Sequence, residues 1–190
     1  LPVYDNYGNL LLYQGKILDQ KSIAVLAERS VSELFIRDER VLDVAVAPLY
    51  SPQNEGLLAS SFRKLVLENA GKPSLDREHV RQVEAAVGKI IGDMSLNVLG
   101  DINVSCSISL QDYVYLQPVK TAGLSLAMGQ SLGMTKEELN ILGLAAIFKD
   151  IGLSPKIIAS VDAMAEGASP RMREHPAAGH RVLSQDPLTA

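Results

Sequence analysis

The chain has 190 residues, of which 47% are hydrophobic, and a formal net charge of −4. That is enough for one domain, or for a small domain plus part of a larger one. Acids and bases are interspersed, which argues against binding a nucleic-acid polymer or an anionic membrane by charge. The single Cys106 excludes an internal disulfide and fits a reducing, cytoplasmic compartment. No apolar run approaches the ~18 residues of a membrane span.

The first fifty residues read as a small α/β module. Val3-Tyr4-Asp5 and Leu10-Leu11-Leu12-Tyr13 are β-prone runs around the turn cluster Asn6-Tyr7-Gly8-Asn9. Residues 19–29 carry Ile23, Leu26 and Ala27 at helical spacing behind Asp19, a candidate N-cap. Glu33 to Arg37 and Val41 to Val46 are further strand candidates, and Pro48 to Asn54 reads as a linker.

Beyond the linker the pattern is helical. Glu55 to Asn69 places Leu57, Leu58, Phe62, Leu65 and Val66 on one side. Asp76 heads a long helix whose stripe runs through Val80, Val83, Val87, Ile90, Ile91, Met94 and Val98. Asp112 to Leu132 gives a third helix, with Val119, Ala122, Leu126 and Leu132 on its apolar side. Thr135 and Glu138 form a capping box for a helix over Lys136 to Phe148, which is apolar almost all round near its end and so is expected at the centre of a bundle. Gly152 is expected to stop it, with Pro155 beyond. The fold class is thus α+β, with a small amino-terminal α/β module followed by a mainly α-helical domain. The divisions fall at 1–50, 51–104 (linker and long helix) and 105–190.

Several of these segments, in order, resemble the HD-GYP branch of the HD phosphohydrolase superfamily. The match lies in Asp112-Tyr113-Val114-Tyr115, in Leu126 to Met134, in Glu137 to Ala146, in Asp150-Ile151-Gly152, and in His175-Pro176-Ala177-Ala178-Gly179-His180. Asp5 through Gly15 is similar to a strand pair in a small domain often found ahead of such modules. The resemblance implies an HD-type helical domain in bacterial signalling. Its family holds iron or manganese and hydrolyses cyclic di-GMP.

This chain departs from the family at the positions that carry the chemistry. Gln117 stands where the first metal-binding histidine would be, and Lys149 replaces the histidine of the His-Asp pair. Of the ligands implied before Ala190, Asp150 and His175 remain, and the family's His-His-Glu and Gly-Tyr-Pro segments are absent from the sequence. A divalent ion in such a site takes about six N or O donors. The Lys149 ammonium offers no lone pair at neutral pH and puts positive charge where the ion would sit. The expectation is therefore that no metal binds and that Lys149 pairs with Asp150.

The function implied is that of a catalytically degenerate signalling or interaction module, with a homodimer or another protein as partner. Cyclic di-GMP binding without turnover is a further reading. The enzymatic alternative is a metal-dependent cyclic di-GMP phosphodiesterase whose remaining ligands lie beyond residue 190. Leu1 stands where Met would begin a protein, so a fragment of a longer chain is expected.

Other candidates have simpler roles. His175 and His180, five apart, are not aligned to chelate as a pair. His79 is expected on a solvated helix face, and Arg171 to Glu174 on another. Cys106 is expected to be a small buried residue. No Gly-rich phosphate loop, Ser/His/Asp arrangement or CxxC pair is present.

Overall fold

A computed structural model of the chain describes residues 2–5, 9–29, 31, 34, 36, 40, 50–70, 72–96, 113–153 and 170–185. The strand candidates at 33–37 and 41–46 fall almost wholly outside the described residues, as do Val98, Cys106 and Pro155. Among the described residues there are two short strands, β1 (Val3–Tyr4) and β2 (Leu10–Leu12). The helices are α1 (Gln20–Glu28), α2 (Pro52–Glu68), α3 (Arg77–Leu96), α4 (Tyr113–Ser131), α5 (Lys136–Phe148) and α6 (Pro170–Leu183). An α+β class with a dominant helical part is therefore observed.

The strands pair antiparallel, with Val3 opposite Leu12 and Tyr4 opposite Leu10. Asp5 closes the hairpin. Its buried carboxylate accepts from the Asn9 amide at 2.8 Å and the Asn9 side chain at 3.0 Å, and its own amide donates to the Asn9 carbonyl. Asp19 caps α1 through the Ser22 amide at 2.7 Å. Of the expected apolar face of α1, Leu26 is buried, but Ile23 and Ala27 are exposed.

The core lies where α2, α3, α4 and α5 meet, around Leu58, Phe62, Leu65, Val83, Val87, Ile90, Met94, Val119, Leu126 and Ile147. Phe62 and Phe148 meet edge to face, with centroids 6.3 Å apart. The expected linker is in part the first turn of α2: Ser51 caps the Asn54 amide, and Pro52 starts the helix. Proline suits that position because its fixed φ is already helical and no amide is needed there. Asp93 on α3 fixes this end, accepting from the Ser51 amide at 2.9 Å and the Asn54 side chain at 2.8 Å. Tyr50 lies against Gly123 of α4, and its burial, aided by the charge of Glu55, pushes the phenol pKa up.

Asp76 starts α3 as expected, accepting from the Glu78 and His79 amides. His79, however, is not a solvated residue: its side chain is only 11% exposed. The buried Asn69 explains why. Asn69 Nδ2 lies 3.3 Å from His79 Nδ1, while Asn69 Oδ1 accepts from the Asp76 amide at 2.9 Å. His79 Nε2 faces Glu68 at 3.2 Å. With Nδ1 accepting, the proton sits on Nε2 and points at the carboxylate. The histidine thus locks the α2–α3 turn.

The capping box of Thr135 and Glu138 is formed as read from the sequence. Two expectations around α4 and α5 fail. Leu132 is 80% exposed, because α4 ends before it and the chain turns through Gly133 at φ +75. α5 is not fully enclosed: it packs on α3 and α4, but among the described residues Ile141 is left 68% exposed.

Candidate functional site

The site is assembled from α4, the turn after α5, and α6. The turn begins at Lys149, immediately after the last helical residue of α5. It is held by the Ile151 amide on the Phe148 carbonyl at 3.0 Å and the Leu153 amide on the Asp150 carbonyl at 2.8 Å. This presents Lys149 and Asp150, adjacent in sequence, to α4 on one side and α6 on the other.

Gln117, Lys149, Asp150 and His175 are contiguous in space. Lys149 Nζ donates to Gln117 Oε1 at 3.0 Å and makes a close contact with Asp150 Oδ2. The other carboxylate oxygen, Asp150 Oδ1, lies 3.4 Å from His175 Nε2. The chain of contacts therefore runs from Gln117 through Lys149 and Asp150 to His175. Lys149 is not deeply buried: its side chain is 34% exposed, against 25% for Asp150. An ion pair at that exposure contributes only about 0–1 kcal/mol. Its effect is on position and local charge more than on stability.

Thr121, which the sequence reading passed over, belongs to the site. One turn from Gln117 on α4, its hydroxyl donates to the Gln117 carbonyl at 2.9 Å and accepts from Gln117 Nε2 at 3.1 Å. With Nε2 so engaged, Oε1 is turned toward the ammonium. The signal was available as a polar pair at i, i+4 spacing.

Gly152 has a role other than stopping α5. The helix ends before it, and its backbone is not left-handed, since the positive-φ glycines among the described residues are Gly15 and Gly133. What Gly152 provides is close approach. A β-carbon there would lie 2.1 Å from the His175 carbonyl oxygen and 2.5 Å from the Gly179 nitrogen. The missing side chain lets the backbone of α6 rest on the turn and brings His175 within reach of Asp150.

His180 does not join this cluster. It is exposed, and among the described residues no hydrogen bond or ion pair ties it to Lys149, Asp150 or His175. No group of three or more His, Cys, Asp or Glu side chains suited to a metal ion occurs among the described residues. The donor set does not fit a divalent ion either. Asp150 and His175 supply two suitable groups, Gln117 only a neutral oxygen, and a carboxylate oxygen that an ion would need is taken by the Lys149 ammonium. The expected Arg171 to Glu174 face is described in part: Arg173 and Glu174 are exposed.

No family model, no curated protein and no solved structure matches this chain. Among the described residues, no helix is long and apolar enough to cross a membrane.

Proposed function

We propose that the chain is a catalytically silent relative of the HD-GYP phosphohydrolases. It acts in bacterial cyclic-di-GMP-type signalling through protein contacts instead of turnover. The observation that supports this is the place of Lys149 Nζ, hydrogen-bonded between Gln117 and Asp150 at the positions that the resemblance assigns to metal ligands. An ammonium there neutralises the carboxylate without a metal. It supplies neither the Lewis acid nor the activated water on which metal-assisted phosphodiester hydrolysis depends.

Surface chemistry supports the contact role. Leu124 and Met128 on α4, and Leu132 just past its end, are exposed at successive turns of one line. Such a line is where a second copy or another protein would dock, with apolar area to bury there.

The test is hydrolysis of cyclic di-GMP by the purified chain with added manganese or ferrous iron. The expected result is no turnover above that of buffer. Turnover that disappears in an Asp150→Asn variant would overturn the proposal.

A further inference from the structure

Lys149 also belongs to a second feature, a surface groove of about 630 Å³ bordered by α3, α5 and α6. Its apolar lining comes from Val80, Ile141, Leu144, Phe148 and Leu183. A volume of this size falls within the range of small-ligand sites, roughly 300–1,000 Å³.

The polar groups of the groove are few and unevenly charged. An ammonium has three N–H donors. Gln117 and Asp150 take two from Lys149, and no other partner meets it among the described residues. The imidazole of His180 lines the same groove and likewise has no partner among the described residues. Glu84 on α3 lines it too, with its carboxylate unpaired among the described residues.

We propose that this groove binds a small amphipathic monocarboxylate. The ligand carboxylate accepts from the spare N–H of Lys149 and from His180, and the apolar body lies along Ile141, Leu144 and Phe148. Glu84 limits the ligand's negative charge. A ligand carrying several anionic groups, such as a phosphodiester or polyphosphate, would bring like charge near an unpaired carboxylate. A neutral apolar ligand would cover both donors without satisfying them. One carboxylate on an apolar body meets all three conditions. The inference rests on the reading of Lys149 as a resident ammonium.

The experiment is isothermal titration of the full chain with sodium decanoate, below its micellar range, beside the neutral probe 1-decanol. The variants are Lys149→Met, His180→Leu and Ala145→Trp, each checked for folding by circular dichroism. Ala145 is an exposed lining residue, so a tryptophan there fills the groove without entering the core. Saturable one-to-one decanoate binding is expected, with decanol weaker. Lys149→Met should weaken it by about tenfold or more, as the loss of a charge-assisted hydrogen bond does. Ala145→Trp should abolish it.

The inference is overturned by an absence of saturable binding, by decanol binding as tightly as decanoate, or by decanoate binding unchanged in Ala145→Trp. Elemental analysis of the same samples separates the two proposals. Stoichiometric metal would end the reading of Lys149, while metal-free protein that ignores decanoate would end only this one.

Discussion

Gly152→Ala is the sharpest perturbation of the site, because it adds one carbon and removes nothing. The new β-carbon would stand 2.1 Å from the His175 carbonyl oxygen and 2.5 Å from the Gly179 nitrogen. Both are backbone atoms of α6, so no side chain can swing aside. To restore ordinary contact the helix must retreat by roughly 1 Å or more, and a gap of about 1 Å already forfeits up to about half of the non-bonded attraction across it. Overpacking of this kind costs about 1–3 kcal/mol. In a chain of this size each kcal/mol moves Tm by about 2–4 °C, so a fall of about 2–12 °C is expected in circular-dichroism melting. The same retreat carries His175 away from Asp150, now 3.4 Å distant. The His175 ring resonances in an NMR spectrum at fixed pH should therefore move, because the carboxylate no longer stands beside the ring. Gly88→Ala is the control. Gly88 lies inside α3, and a β-carbon there meets nothing within 4 Å, so the variant should gain about 0.5–1 kcal/mol. A Gly152→Ala protein with wild-type melting and unchanged His175 resonances would refute the account of how α6 is seated.

Two further predictions concern the bundle. Phe62→Ala removes a fully buried ring from its edge-to-face contact with Phe148 and should cost about 3–5 kcal/mol in urea unfolding; a cost below about 1 kcal/mol would show that the site collapses freely. Burial opposes the ionisation of Asp93, yet the hydrogen bonds from Ser51 and Asn54 outweigh it and hold its pKa below the ordinary carboxylate value. A depressed native pKa contributes stability above the unfolded value, near 3.8, and that contribution is lost as pH falls through the native one. Asp93→Asn should therefore be less stable than wild type by about 1 kcal/mol at pH 7. The gap should close on acidification below pH ~4, and a gap that widens there would refute the assignment.

Local signals in the sequence are legible where one short-range interaction decides the outcome. Asp19, Asp76 and the Thr135–Glu138 box cap their helices as their spacing implies. The stripe on α3 from Val80 to Met94 is buried because period and burial coincide there. Pro52 reads as linker because proline signals a break, whereas at the first position of α2 it begins a helix. His79 reads as solvated because it falls on the polar side of the α3 stripe. Its burial depends on Asn69, in the preceding helix cap, which no periodicity within α3 discloses. Gly152 reads locally as a helix stop, but its close contact is with residues 23 and 27 positions later in the chain, a tertiary constraint. The residues of the site came from a resemblance in motif order. Their convergence depends on the turn after α5 and on the seating of α6, which local pattern alone does not encode.

The central claim is that the Lys149 ammonium stands in place of a metal. Elemental analysis of the purified chain after exposure to manganese and ferrous iron tests it most directly, beside a Gln117→His, Lys149→His double variant. The account predicts no stoichiometric metal in the native chain, and a gain of metal in the variant, where two imidazoles join Asp150 and His175. About one equivalent of tightly held metal in the native chain would contradict it.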